Sequence, residues 1–365
     1  MKKLLLFILF GLTLQLHAQE HENIFFEKTA NGLTKFYYDK NYFLCPKDCE
    51  FKFIERVVAF DTKTSKFNGE FKDFGPDGHV LLTGTYLNGE KQGEFKAYHS
   101  NQQLKWTVTF KDDIPVGDWH FYYPDGKPLM VLTIQSYRLL IKSFWNQKAQ
   151  QKIIDGNGEY DFTLYFESFT ELGFPAYRRR GKVVDGLANG MWHLFMIDGK
   201  KSTLAREEFF SKGVFKNYGE IYYELDKDEK HLQLYPIDNF NRAELLTYKN
   251  CTFDDYSGFL AYLSASIKEE LPTFKNYLER KPTEFEYQVS VNKKGKPSNE
   301  NLTTVTSESL KPYLQEAISY ISYYLPTFSN GVYIDDTLKI SGKLMVDDLG
   351  EADIYDLRIK RSSEE

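Results

Sequence analysis

Gly69-Glu70-Phe71-Lys72-Asp73-Phe74-Gly75-Pro76-Asp77-Gly78 is the stretch that decides how this chain folds. An opening glycine precedes two aromatics, and Asp-Gly closes the run. Asp-Gly between apolar-containing segments is a strong hairpin signal, because such a turn needs positive φ. The pattern returns at Gly93-Glu94-Phe95 and at Gly117-Asp118-Trp119, each time 24 residues on. The second aromatic recurs as Tyr98 and Tyr122, and the turn as Asn101-Gln102 and Asp125-Gly126. Returning strands end near Tyr86, Phe110 and Ile134. Looser copies begin at Gly158 and Gly190, the latter carrying Trp192, Phe195 and Asp198-Gly199.

A single hairpin is marginal in water, so each unit must hide its rings against the next. The opening glycine predicts a tight bend or a close approach by the neighbouring hairpin. Phe71 and Phe74 are an odd number of residues apart, as are Phe95 and Tyr98, Trp119 and Tyr122, and Trp192 and Phe195. Odd spacing sends paired residues to opposite faces of a strand. One face can pack on its neighbours. The other either forms an apolar interaction patch or is covered by a second layer. These eight aromatics are the candidate interaction surface.

Composition agrees with strands. Aromatics make up 16% of the chain, with 30 Phe, 26 Tyr and 4 Trp. The first eighteen residues read as a secretory signal: Lys2 and Lys3, an apolar run, then Ala18 before the cut. Without it the charge is 44 − 52 = −8, and no basic face suggests nucleic acid. Arg178-Arg179-Arg180 reads as a solvated turn or a strand edge. Beyond the signal no apolar run is long enough to span a bilayer. In an oxidising compartment Cys45 and Cys49 can close a small loop. Cys251 is then left over, as a buried small hydrophobe.

The repeats resemble the bacterial variant of the MORN repeat family, closely over residues 67–134 and more loosely over 156–223. The resemblance implies a meandering antiparallel sheet used for interaction, and some bacterial relatives serve as immunity proteins. The C-terminal part changes character. Residues 257–279 have helical spacing with a break at Pro272, and Phe285 to Val291 alternates as a half-buried strand. Ser307 predicts an N-cap for a helix carrying Leu310, Leu314, Ile318 and Ile321. Strand, Gly295 turn, strand, helix, Leu325-Pro326-Thr327-Phe328 and Asn330-Gly331 together resemble the TonB C-terminal domain. That resemblance implies a small α+β fold that binds partner strands by edge pairing.

The expected organisation is a signal peptide over 1–18, an N-terminal β segment over 19–60 and hairpin repeats over 61–225. A linker over 226–255 and an α+β domain over 256–365 follow. No catalytic constellation, cofactor motif or metal set is present in the sequence pattern. The expectation is a β-rich, non-catalytic exported protein of the periplasm or outer cell envelope. Its partner would be an envelope protein, a peptide or a glycan. The alternatives are an envelope hydrolase with a site between the domains, or a toxin-neutralising immunity protein.

Overall fold

The computed structural model describes residues 24–136, 138–167, 174–222, 233–274, 281–329 and 332–364. The expected signal peptide and Asn330-Gly331 lie outside them. Among the described residues, sixteen strands form one antiparallel sheet in strict chain order. β1 (Phe26–Lys28), β2 (Thr34–Tyr38) and β3 (Ile54–Asp61) open it. The regular repeats are β4 (Lys66–Phe74), β5 (Val80–Leu87), β6 (Glu90–Tyr98), β7 (Leu104–Lys111), β8 (Ile114–Tyr122) and β9 (Pro128–Gln135). β10 (Arg138–Trp145), β11 (Gln151–Ile154), β12 (Asn157–Tyr165) and β13 (Ala176–Val184) continue the meander. β14 (Leu187–Asp198), β15 (Lys201–Ser211) and β16 (Val214–Ile221) end it.

Two kinds of turn alternate along the array. At one rim Pro76, Asp77 and Gly78 form a three-residue loop closed by Gly75 and His79. Gly75 N–H donates to His79 O at 2.8 Å, and Gly78 N–H donates to Gly75 O at 2.9 Å. Gly78 sits at φ 76° and Gly126 at φ 80°, and in the middle copy Gln102 is forced to φ 65°. At the other rim lie two-residue turns with both residues at positive φ, Asn88-Gly89 and Asp112-Asp113. These are primed turns, whose twist matches that of the strands. Gly89 N–H reaches Phe67 O at 2.9 Å and Asp113 N–H reaches Lys91 O at 3.2 Å. Each turn is thereby hooked to the hairpin before it.

The opening glycines adopt φ 76° at Gly69, 73° at Gly93 and 74° at both Gly117 and Gly190. A Cβ at any of the four would meet nothing within 4 Å. These four require the left-handed backbone, whereas at Gly158 the neighbouring strand comes close: a Cβ there would lie 2.0 Å from Lys152 O. Bulges interrupt every strand pair from β3 to β11 and from β13 to β16, for example between Asp73 and Phe74 and between Ala97 and Tyr98. Bulges sharpen right-handed twist, and the sheet curls.

The segment from Gln233 onward, expected as linker, is a strap that lies inside the curl. Tyr160 of β12 donates its hydroxyl to Leu234 O, and Tyr38 of β2 donates to Ala243 O. Ten strand spacings separate those tyrosines, roughly 48 Å along the sheet. Nine extended residues reach at most about 31 Å. The strap is a chord and the sheet is the arc around it. Phe240 inserts among Phe95, Trp106 and Phe110, with ring centroids at 6.1, 5.3 and 6.2 Å.

The strap then pairs Tyr248 with Leu44 and leads to a disulfide between Cys49 and Cys251, 202 residues apart. The expected Cys45–Cys49 bridge is thus replaced. Cys45 is the buried free thiol, and Cys251 is exposed and bonded. Sequence spacing favoured the nearest pair, whereas the strap brings the distant one to a Cα separation of 5.7 Å.

The C-terminal unit is a four-stranded sheet with helices on one face. β17 (Thr283–Val291), β18 (Pro297–Val305), β21 (Asp336–Val346) and β22 (Ala352–Arg361) run in the order β18-β17-β21-β22. A short hairpin of β19 (Thr327–Ser329) and β20 (Val332–Ile334) precedes β21. α2 (Phe259–Glu270) buries Phe259, Leu263 and Ile267 at helical spacing. α3 (Lys311–Ser319) starts after Leu310, so Ser307 is not its N-cap. The Ser307 hydroxyl pairs instead with that of Ser309 at 2.9 Å. α1 (Phe253–Tyr256) joins the two units. Tyr256 stacks on Phe51 at 4.7 Å, and Asp254 takes the Arg361 guanidinium.

Candidate functional site

Alternation along each strand sorts the eight candidate aromatics into two sets. Phe71, Phe95, Trp119 and Trp192 point into the curl and are buried, so these four are core and not surface. Phe95 lies flat on Gly84, where an added Cβ would come within 2.7 Å of its ring, and Trp192 covers Gly181 in the same way. Phe74, Tyr98, Tyr122 and Phe195 face outward and are half-buried.

The outward set builds a ladder near the three-residue turns. Phe74 opposes Val80, Tyr98 opposes Leu104 and Tyr122 opposes Pro128. These rungs repeat every second strand, about 9.6 Å apart. The hairpin sequence makes the register, because each rung sits at the bulge beside its turn. At the first rung a hollow of ≈ 390 Å³ opens between Phe74, Phe53, Val57, Lys35, Lys52 and Glu55. Its charges are matched: Glu55 lies 2.9 Å from Lys35 and 3.0 Å from Lys52. Burial pushes the Glu55 carboxyl up, but the two ammonium groups outweigh it and hold it below 4.5. The ladder thus offers flat apolar rungs with a charged rim at one end.

The inner face carries a polar chain that sequence reading did not single out. Arg56 and Asp73 are fully buried and paired through two bonds, Nε–Oδ1 at 2.7 Å and Nη2–Oδ2 at 2.9 Å. The Phe71 ring lies 4.4 Å from the guanidinium. Tyr42 donates to Asp73 at 3.0 Å, and Arg56 Nη1 donates to the Tyr86 oxygen at 3.3 Å. Tyr86 in turn donates to Glu244 of the strap at 2.8 Å. Glu244 also holds Lys91 at 2.8 Å, and Lys91 reaches Asp113 at 2.9 Å. Burial drives both the Tyr42 and Tyr86 hydroxyls well above 10, which keeps them as donors.

This chain ties the strap to the sheet. Asp238 adds a second tie, accepting from Lys105 at 2.6 Å and from Trp106 Nε1 at 2.8 Å. A cleft of ≈ 700 Å³ runs beside the strap, lined by Lys91, Asp113, Asp238, Arg242 and Glu244 among others. Lys91, Asp113, Asp238 and Glu244 are committed to the ion pairs just described, and Arg242 donates to Asn41 O at 2.7 Å. The arrangement fastens one segment to another.

No family model matches the chain, and neither does any curated protein or solved structure. The site therefore rests on geometry alone.

The arginine run is neither a turn nor an edge. It lies inside β13, paired to β12 and β14. Arg178 forks onto Asp161, and Arg179 meets the buried Glu208 at 3.0 Å. His193 Nε2 lies 3.7 Å from Glu207. The signal that would have found the inner chain was a charged residue where alternation demands an apolar one, as at Arg56 and Asp73.

Proposed function

We propose that this chain is an exported, non-catalytic binding or scaffolding protein of a bacterial cell envelope, acting through protein–protein contact. The observation that supports it is the outward ladder of Phe74, Tyr98 and Tyr122, repeated at one position in three consecutive hairpins. Its counterpart rings are consumed by the core, so the outer rungs are the repeated apolar feature left for a partner. Tyrosine and phenylalanine suit this task, since they give large contact area at low entropic cost. The signal layout and the likeness to MORN repeats support the same reading. The partner is another envelope protein or a peptide segment laid across the rungs.

The test is site-specific photocrosslinking in the producing cell. A photoreactive residue at Tyr98 or Tyr122 should capture one discrete partner. The same residue at Thr303, exposed on β18 of the other unit, should not. Capture should vanish when Phe74 and the remaining tyrosine are changed to serine while the circular dichroism spectrum stays the same. Equal capture from both surfaces, or none from the ladder, overturns the reading.

A further inference from the structure

The sheet edges of this molecule are treated very differently from one another. β1 is three residues long. β18 and β22 are polar: β18 shows Ser298, Glu300 and Asn301, and β22 shows Asp353, Arg358 and Lys360. Short or charged edges resist pairing with another chain. β16 differs in that its two charges, Lys216 and Glu220, are of opposite sign and lie symmetrically about Tyr218. It is eight residues long, ends the large sheet, and is exposed at every position. Phe215 is 41% exposed, Tyr218 40% and Ile221 48%.

The sequence of β16 is self-complementary when read antiparallel about Tyr218. Phe215 then faces Ile221 of the second strand, and Lys216 faces Glu220. Val214 faces Tyr222, just past the strand end. A two-fold axis produces each of these pairs twice. Two register shifts make the geometry fit. They place Phe215, Tyr218 and Ile221 on one face, opposite Phe210, Glu208 and Arg206, with the Phe215 and Tyr218 rings 4.7 Å apart. Positions 215 and 221 are equidistant from 218, so the two-fold brings apolar side chains together on the same side of the joined sheet. Among the described residues Lys216 makes no ion pair, and Glu220 takes the Tyr222 hydroxyl.

We propose that β16 is a self-association edge and that its partner is β16 of a second copy of this chain. The two arrays join as one continuous antiparallel sheet through an isologous contact. Cross-strand charge pairs fix the register, since like charges placed directly opposite are unfavourable. This inference is independent of the outward ladder, which lies on other strands.

The test is sedimentation of the full chain over about 1 to 100 µM, a range that brackets a micromolar self-association. Wild type should pass from monomer to dimer with concentration. Lys216→Glu opposes Glu220 twice per dimer and should raise the dissociation constant by at least about tenfold, as should Glu220→Lys. Combining Lys216→Glu with Glu220→Lys restores complementarity, and affinity should return to within about threefold of wild type. All four positions in the dimer are exposed strand positions, and unchanged circular dichroism checks the fold. A wild type that stays monomeric overturns the proposal. So does a dimer indifferent to the single reversals, or a double reversal as weak as either single one.

Discussion

Serine at both Cys49 and Cys251 opens a covalent loop that spans 202 residues and encloses β3 to β16 with the strap. Closing a loop of that length removes roughly 18 cal/mol/K from the unfolded ensemble, so the bridge contributes about 5 kcal/mol at 25 °C. For a chain of this size, with an m-value near 3 kcal/mol/M in urea, the unfolding midpoint should fall by about 1.7 M. The assay is urea titration followed by tryptophan fluorescence, which reports on the buried Trp106 and Trp192. Cys45→Ala is the control. Its thiol is buried, with a pKa pushed up to about 12 chiefly by that burial, and it takes no part in the bridge. That variant should keep the cross-link and most of the stability. Peptide mapping without reductant should recover Cys49 joined to Cys251. A midpoint unmoved by the double serine change, or a peptide joining Cys45 to Cys49, would refute the reasoning.

Asp73→Ala should destabilise the fold by about 3–5 kcal/mol, because it leaves the Arg56 guanidinium buried without a counter-charge; denaturant titration measures it. Phe240→Ala should cost about 3–5 kcal/mol as a core cavity, and faster amide exchange at Trp106 and Lys91 would show that the strap has loosened. Gln102→Gly should stabilise by about 1 kcal/mol, since the side chain now sits at φ 65° where glycine is at ease; a lowered melting temperature would contradict it. Hydrogen bonds from Lys47, and then from Tyr37, hold the Glu27 carboxyl below 4.5. Its contribution is therefore present above pH 4.5 and lost as pH falls through the lowered folded value. Protection of the Tyr37 amide, which bonds Phe25 O at 3.0 Å, should drop between about pH 5 and pH 3, and Glu27→Gln should remove that dependence.

Much of the array was legible because local chemistry writes it. Glycine at a 24-residue interval, Asp-Gly turns and odd-spaced aromatics each act over a few residues, and hairpins form where they predict. The primed turns at Asn88-Gly89 and Asp112-Asp113 carry the same period; the acidic pair reads as a solvated turn from sequence, whereas Asn88-Gly89 was not picked out. The ladder was half legible. Spacing gave two faces, but nothing local said which face would close.

That choice belonged to tertiary structure. Residues 233–249 have neither helical nor strand period, so no pattern marks them as core. They become core because a curled sheet leaves a trough, which Asp238 and a short 3-10 helix over Phe240–Leu245, carrying Phe240 and Glu244, fill. The same path decides which cysteine Cys49 meets and brings Glu244 to the Tyr86 hydroxyl that Arg56 also contacts. Sequence by itself determined the hairpins, since turn and strand preferences are set within one unit. Only the folded chain determined the partners across the curl, since these depend on contacts between residues from 74 to 205 positions apart.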